Sequence, residues 1–201
     1  FFMLICSVFA FAQQADDAVA TNKWIETYEN LNTAKDWNGM LSQAEACKAE
    51  IPNWEFVYYY EGLANFNLKN YNQAIPAFDK FIEKNTATPA AYLYRANSYL
   101  EIKEADFAIR DYDLYLQANP NDVAVMLNKA QARMIKKDFT NYIADLTAVL
   151  AIEPTNVAAL SNRASAYAQQ KNWQAVIADL TAALAIEQKA DYYYDRGFAN
   201  Y

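Results

Sequence analysis

The chain has 201 residues, of which 54% are hydrophobic, but only 3 are glycine and 5 are proline. This balance favours long helices and argues against a sheet fold rich in tight turns. The net charge is −7, from 24 acidic and 17 basic side chains, and no run of lysine or arginine offers a surface for nucleic-acid phosphates. Histidine, the commonest general base and metal ligand, is absent. We therefore predict a non-enzymatic protein without a cofactor or metal site and without a nucleic-acid partner.

The N-terminal segment, residues 1–12, is uncharged and apolar, and Ala10, Phe11 and Ala12 form a small-x-small pattern before Gln13. Such a segment is typical of a secretory signal peptide, here incomplete at its N-terminus. A truncated membrane anchor or an apolar first helix would have a similar composition, but a bilayer span needs roughly 20 apolar residues. We predict export to the periplasm or to the exterior, with no membrane insertion after cleavage, and a linker over residues 13–20.

From Thr21 onward the chain repeats in windows of equal length, which begin at Thr21, Glu55, Pro89, Val123 and Val157. The fourth place of each window holds a large residue: Trp24, Tyr58, Tyr92, Met126 and Leu160. The eighth place is small in the later windows: Gly62, Ala96, Ala130 and Ala164. A fixed period of about 34 residues indicates stacked repeats, and the small residue allows two helices to approach closely.

Polar pairs divide each window into two halves: Lys35-Asp36, Lys69-Asn70, Lys103-Glu104, Lys137-Asp138 and Lys171-Asn172. They interrupt the apolar pattern and allow a tight turn, so each repeat is predicted to be a helical hairpin. The first helices are predicted near residues 22–34, 55–68, 89–102, 123–136 and 157–170. Pro52, Pro120 and Pro154 are expected to end second helices, whereas Pro76 lies inside one and should only bend it.

The repeated pattern is carried by Trp24, Tyr58, Gly62, Tyr71, Ala74, Phe78, Tyr99, Ala108, Tyr112, Pro120, Pro154, Ala164 and Tyr167. In this spacing the chain resembles the tetratricopeptide repeat (TPR). The resemblance implies an all-α fold, a right-handed superhelix (an α-α solenoid) of five full repeats and a truncated sixth. The repeats are placed at 21–54, 55–88, 89–122, 123–156, 157–189 and 190–201. We predict an exported, bacterial member of this family.

The resemblance also implies a protein-protein interaction scaffold, because in TPR proteins the inner face of the first helices lines a concave groove that binds a partner's peptide or helix. Here that face carries Phe56, Tyr59, Tyr60, Leu63, Phe66, Leu93, Tyr94, Asn97, Leu127, Asn128 and Gln131. A tyrosine offers a large rigid contact with a polar tip, which suits binding. Alternatively, Phe56, Tyr59 and Tyr60 pack against the neighbouring repeat.

Some TPR proteins hold a peptide's terminal carboxylate with basic residues on this face. Leu93, Ala158 and Asn162 stand where those basic residues would be needed, so we do not predict a carboxylate clamp. A different function remains open, in which these repeats are the targeting or accessory region of a larger envelope enzyme or transport system with its active domain beyond residue 201. The uncovered face of the last repeat also predicts self-association.

Two further sets of residues could carry chemistry, but packing explains each of them. Cys47 is predicted to be a buried packing residue, since a reactive thiol needs exposure and positive neighbours. Carboxylates recur 16 residues after basic residues, in the pairs Arg95 and Asp111, Lys129 and Asp145, and Arg163 and Asp179. We predict ion pairs between the two helices of a repeat, with a carboxylate array for acid-base or metal chemistry as the alternative.

Overall fold

A computed structural model describes the backbone of residues 2–200 and the side chains of residues 18–200. Over that range the chain forms eleven α-helices and no β-strand, which confirms the all-α prediction. The helices are α1 (Phe2–Ala34), α2 (Trp37–Glu50), α3 (Phe56–Asn67), α4 (Tyr71–Lys84), α5 (Pro89–Glu101), α6 (Ala105–Ala118), α7 (Val123–Ile135), α8 (Phe139–Ile152), α9 (Val157–Gln169), α10 (Trp173–Ile186) and α11 (Ala190–Ala199).

The first helix differs from the prediction at its start, because α1 begins at Phe2 and not near residue 22. Residues 13–20, for which we predicted a linker, therefore have a helical backbone. The signal peptide predicted for residues 1–12 lies outside the residues whose side chains are described. Among the described residues, no helix combines the length and the apolar character that a membrane crossing requires.

The chain divides into two compact units, residues 1–98 and residues 99–201. In the first unit, α1 packs against α2, α2 against α3 and α3 against α4. In the second unit, each helix from α6 to α10 packs against the next one in the chain. Each unit is thus built from helices that pack in sequence order, as a repeat architecture requires.

The repeat boundaries agree closely with the sequence period. The predicted first helices correspond to α1, α3, α5, α7 and α9, and their ends at Ala34, Asn67, Glu101, Ile135 and Gln169 lie within one residue of the predicted ends. Helices α2, α6 and α8 end two residues before Pro52, Pro120 and Pro154. Helix α4 continues through Pro76, also as predicted.

A lysine in the left-handed backbone conformation ends the first helix of every full repeat. The φ angles are 55° at Lys35, 62° at Lys69, 65° at Lys103, 58° at Lys137 and 56° at Lys171. The residue after each lysine donates its N–H to the carbonyl five residues earlier, for example Asp138 to Arg133 at 3.0 Å. This is the Schellman arrangement, which satisfies carbonyls at the helix end and reverses the chain within two residues.

Three of the same turns also start the second helix with a side-chain cap. Asp36 accepts a hydrogen bond from the N–H of Gly39, and Asp138 and Asn172 accept the corresponding bonds from Asn141 and Ala175. A side-chain oxygen at this position replaces a hydrogen bond that the first helical turn cannot make internally. The lysine-polar pairs of the sequence therefore end one helix and begin the next.

Close helix contact inside a repeat depends on the small eighth residue. Gly62 on α3 faces Phe78 on α4, and a Cβ atom at Gly62 would lie only 2.7 Å from the Phe78 ring. In the second unit, Ala130 and Ala164 take the equivalent place and are buried. The alternation of large and small residues therefore reflects packing. The small residue leaves room for an aromatic ring of one helix to lie against the backbone of the other at the same height in the hairpin.

Candidate functional site

Half-buried aromatic rings on α3 and α5 form a continuous cluster in the first unit. The ring of Tyr59 lies 5.3 Å from that of Phe81, 6.1 Å from that of Phe78 and 6.4 Å from that of Tyr94, measured between centroids. Phe66 lies 5.3 Å from Tyr94. Burial raises the pKa of Tyr59 to about 12. The structure therefore brings these predicted groove residues together, and it does so largely by packing them on the buried rings of α4.

Other residues predicted for the groove in this unit have different environments. Tyr60 stacks on the buried Tyr28 with ring centroids 4.6 Å apart, so it joins the core around α1. Leu63 is only 6% exposed and belongs to the core, which corrects its assignment to the groove. Leu93 and Asn97 on α5 are half-buried. Packing thus accounts for much of the aromatic surface that the sequence indicates.

A groove of about 360 Å³ lies between α7, α8 and α9 in the second unit; we call it the amide groove. Its lining residues are Leu127, Asn128, Ala130, Gln131, Met134, Tyr142, Leu146, Ala158 and Asn162. The structure therefore places the three residues predicted on α7, Leu127, Asn128 and Gln131, at one site. The buried Tyr142 and Leu146 form part of its apolar floor.

The amide side chains of this groove are available to a partner. In the described part of the chain, the side-chain amides of Asn128, Gln131 and Asn162 have no hydrogen-bond partner. Asn65 and Asn67, by contrast, donate to backbone carbonyls one turn earlier in α3. Each free amide offers two donors and one acceptor oxygen, the groups that pair with a peptide backbone.

A second groove, of about 350 Å³, lies between α9, α10 and α11; we call it the aromatic groove. Six of its lining residues lie one repeat period after residues of the amide groove, namely Ser161, Ala164, Ser165, Ala168, Val176 and Leu180. Gln169, Trp173, Tyr192, Asp195 and Phe198 complete its lining. Sequence reasoning missed this groove, although the period itself could have shown it by shifting the predicted α7 residues one repeat onward.

The two grooves differ from a carboxylate-binding site in their charge. Of the described residues that line them, none is lysine or arginine, and Asp195 is the one charged residue. Ala158 and Asn162, which stand where a carboxylate clamp would need cations, line the amide groove. The grooves can therefore accept neutral or basic groups, but they lack the cation that an acidic ligand requires.

Two of the three predicted ion pairs form as expected. Lys129 Nζ lies 3.0 Å from Asp145, and Arg163 binds Asp179 through two hydrogen bonds. The pair of Arg95 and Asp111 spans the two units and stays a prediction. These contacts give Asp145 and Asp179 a structural role, because each faces a cation on the paired helix.

The same basic residues also reach back to the preceding second helix, which sequence reasoning missed. Arg95 binds Asp79 at 2.7 Å, Lys129 binds Asp113 at 3.2 Å, and Arg163 donates to Thr147 at 2.9 Å. Each of these partners lies 16 residues before its cation, so the partners are themselves one repeat period apart. Lys129 and Arg163 thus each connect the second helices of consecutive repeats as well as the two helices of their own repeat.

Cys47 is completely buried, as predicted, and burial raises the pKa of its thiol to about 11. A thiol in this state is a poor nucleophile at neutral pH. Among the described residues, no group of three or more His, Cys, Asp or Glu side chains could hold a metal ion.

Comparison with family models gives no match, and comparison with curated protein sequences gives none either. Solved structures, however, are similar. YrrB, described as a TPR protein with an unusual peptide-binding site, aligns with a TM-score of 0.78 at 15% identity over 95% of this chain and 97% of that one. MamA aligns with a TM-score of 0.75 at 18% identity over 87% and 95%. A TPR protein from Parabacteroides merdae aligns with 0.70 at 15% over 90% and 72%.

At these identities the likeness concerns the fold alone. It agrees with the helix boundaries, the period and the turn geometry, which are independent of any alignment. The chain has the all-α fold of tetratricopeptide-repeat proteins.

Proposed function

We propose that the chain is a non-catalytic protein-interaction scaffold whose amide groove binds an extended segment of a partner protein. The observation that carries the proposal is the set of unpaired amides of Asn128, Gln131 and Asn162 along a groove with an apolar floor. An extended segment has free backbone N–H and C=O groups, whereas those of a helix interior bond to each other. The amides therefore match an extended segment better than a helical one.

The apolar residues of the groove supply the second part of the interaction. Leu127 is half-buried and Met134 is exposed, so both present apolar surface that a partner's side chains can cover. Polar groups fix the orientation and register of a bound segment, while the burial of apolar surface provides most of the free energy. YrrB, which has a similar fold, is described as a peptide-binding protein, and this supports the same class of ligand here.

In the first unit, we propose a second contact surface made by the accessible parts of Phe56, Phe66 and Tyr94 together with Leu93 and Asn97. These residues are half-buried, so their rings leave part of their surface open to a partner. This surface is apolar and suits hydrophobic side chains.

We further propose that the protein acts outside the cytoplasm, in the periplasm or after secretion. The proposal is supported by the uncharged, apolar residues 1–12 and the small residues Ala10 and Ala12 before Gln13. Mass spectrometry of the mature chain, isolated from cells that produce it naturally, should find Gln13 at the N-terminus. Peptides from residues 1–12 in the mature protein would contradict the proposal.

Peptide selection on the full chain tests the amide groove. Random 12-residue peptides displayed on phage are selected on the protein, and their affinities are then measured for the Asn128→Ala, Asn162→Ala double variant. The matched control is Gln117→Ala, Gln174→Ala, which removes two exposed amides of the same unit outside both grooves. We expect about a tenfold or larger loss of affinity for the groove variant, because each lost amide leaves a peptide group unpaired.

Circular dichroism is used to check that both variants stay helical. Equal affinity of the selected peptides for the groove variant, the control and the unaltered chain would place binding elsewhere and overturn the proposal.

A further inference from the structure

We infer that the aromatic groove binds a basic side chain, lysine or arginine, of the same partner segment that lies in the amide groove. The inference rests on the proposed function and names the chemistry of the partner. It is drawn from the register of the two grooves, from the state of Asp195 and from the rings around it.

The two grooves follow the same repeat register. They are built from equivalent places of consecutive repeats, so an extended segment that passes along α7 and α9 meets them in succession. Asn162 on α9 lines the amide groove, and Asp195 on α11 lines the aromatic groove at the equivalent place, given the one-residue slip that follows Gln188. An amide in the first groove is thus replaced by a carboxylate in the second.

The described part of the chain does not neutralise the Asp195 carboxylate. In the described part of the chain, Asp195 has no hydrogen bond and no ion pair. The cations nearest in sequence are engaged elsewhere: Lys189 pairs with Glu187 at 3.0 Å, and Arg196 donates to Thr181 at 3.4 Å. A partner's cation would therefore meet a free negative charge in this groove.

Aromatic rings form one wall of the groove beside Asp195. Trp173 is 39% and Phe198 65% exposed, and their rings meet edge to face with centroids 6.1 Å apart. An aromatic face attracts a cation, and it also packs well against the aliphatic stem of lysine or arginine. Tyr192 contributes less to this attraction, since Lys189 already lies 5.6 Å from the centre of its ring.

Charge complementarity thus selects the occupant. A neutral aliphatic side chain would cover the rings but leave the carboxylate without a partner, and an acidic one would be repelled by it. A basic side chain satisfies both features, with its stem on Trp173 and Phe198 and its charge at Asp195.

The same displayed library of random 12-residue peptides, selected on three versions of the full chain, tests the inference. These are the unaltered protein, Asp195→Asn, and the matched control Glu153→Gln, which removes an exposed charge of the same unit outside both grooves. We expect lysine or arginine to be enriched at one position with the unaltered protein and with the control, and to lose that enrichment with Asp195→Asn.

A selected peptide is then synthesised with its basic residue or with glutamine at that position. The glutamine peptide should bind the unaltered protein about tenfold more weakly, and the two peptides should bind Asp195→Asn equally. Raising the salt concentration should weaken only the binding of the basic peptide to the unaltered protein, because exposed charges are screened over about 10 Å at 0.1 M ionic strength.

The outcomes separate the two claims. Peptides that need Asn128 and Asn162 but show no basic enrichment, or that bind Asp195→Asn unchanged, overturn this inference and leave the proposed function standing. Peptides that bind independently of Asn128 and Asn162, or the selection of no peptide at all, overturn the proposed function and this inference together.

Discussion

Arg163 in α9 and Asp179 in α10 form a two-pronged ion pair. The Arg163 guanidinium donates from Nε to Oδ2 at 2.9 Å and from Nη2 to Oδ1 at 2.7 Å. The side chains are only 18% and 8% exposed, and the hydrogen bonds to Asp179 raise the pKa of Arg163. The planar guanidinium matches the carboxylate, so the pair fixes the relative position of the two helices of one repeat.

Removing one member of this pair should strongly destabilise the fold. We expect Asp179→Ala to lower the free energy of unfolding by about 3 kcal/mol, because it leaves a largely buried guanidinium without its counter-charge. A double-mutant cycle with Arg163→Ala, measured by urea denaturation, should give a coupling of roughly 1 to 3 kcal/mol. The exposed pair of Glu187 and Lys189 is the control and should show much weaker coupling, because solvent screens it. A coupling near zero would make Asp179 a candidate functional residue again.

This ion pair shows what the sequence could predict. The repeat period places each side chain at a defined level and face of its hairpin, and this was enough for the helix ends, the turns and two of the three ion pairs. The contact from Arg163 to Thr147 was not predicted, because only the residue 16 places after each cation was considered. Thr147 lies 16 places before Arg163.

The depth of a side chain is harder to predict than its face. Leu63 shares its place in the repeat with Asn97, Gln131 and Ser165, and of these four residues Leu63 alone is buried. An apolar side chain at the edge of the groove can turn into the core, whereas an amide there stays at the surface because burial would leave its polar atoms unpaired. Identical periodicity therefore gave a core residue in one repeat and groove residues in others.

Gly62 offers a test of close packing between helices. We expect Gly62→Ala to lower the free energy of unfolding by about 1 to 3 kcal/mol, since the new methyl group would lie 2.7 Å from the Phe78 ring. Gly197 is the matched control, because a Cβ atom there meets nothing within 4 Å. Gly197→Ala should stabilise α11 by about 0.5 to 1 kcal/mol through helix propensity. If urea denaturation gives the two variants the same free energy of unfolding, the close-packing explanation is wrong.

The left-handed lysines make a separate prediction about the turns. At Lys137, φ is 58°, a conformation in which a Cβ atom is strained and glycine is not. Lys137→Gly should therefore be more stable than Lys137→Ala by about 1 kcal/mol, although both remove the same exposed side chain. At an ordinary helical position, the alanine variant would be the more stable of the two. Thermal unfolding of the two proteins decides between these outcomes.

Buried titratable groups should make the first unit sensitive to alkaline pH. Burial raises the pKa of Cys47 from 9.0 to about 11 and that of Tyr59 from 10.0 to about 12. The folded state thus holds these protons more tightly than the unfolded state, so the stabilisation is complete below pH 9 and is lost as the pH rises towards 12.

By pH 11, ionisation of Cys47 should have lowered the free energy of unfolding by roughly 2 kcal/mol. Urea denaturation at pH 8, 9 and 10 measures it, with Cys47→Ala as the comparison. The variant should be less stable at pH 8 but should lose less further stability between pH 9 and 10, where the tyrosines still titrate little. Parallel pH profiles for the two proteins would show that the thiol does not carry the effect.

Tyr59 decides between the two roles that the sequence left open for the aromatic residues. The ring contacts Phe78, Phe81 and Tyr94, so we expect Tyr59→Ala to destabilise the protein by about 2 to 4 kcal/mol through the cavity it leaves. Tyr194, which is 75% exposed, is the control, and Tyr194→Ala should change stability by less than about 0.5 kcal/mol. Tyr59→Phe keeps the ring and should restore most of the lost stability. If Tyr59→Ala instead unfolds at the same urea concentration as the unaltered protein and binds selected peptides more weakly, Tyr59 is an anchor for a partner and the packing interpretation is wrong.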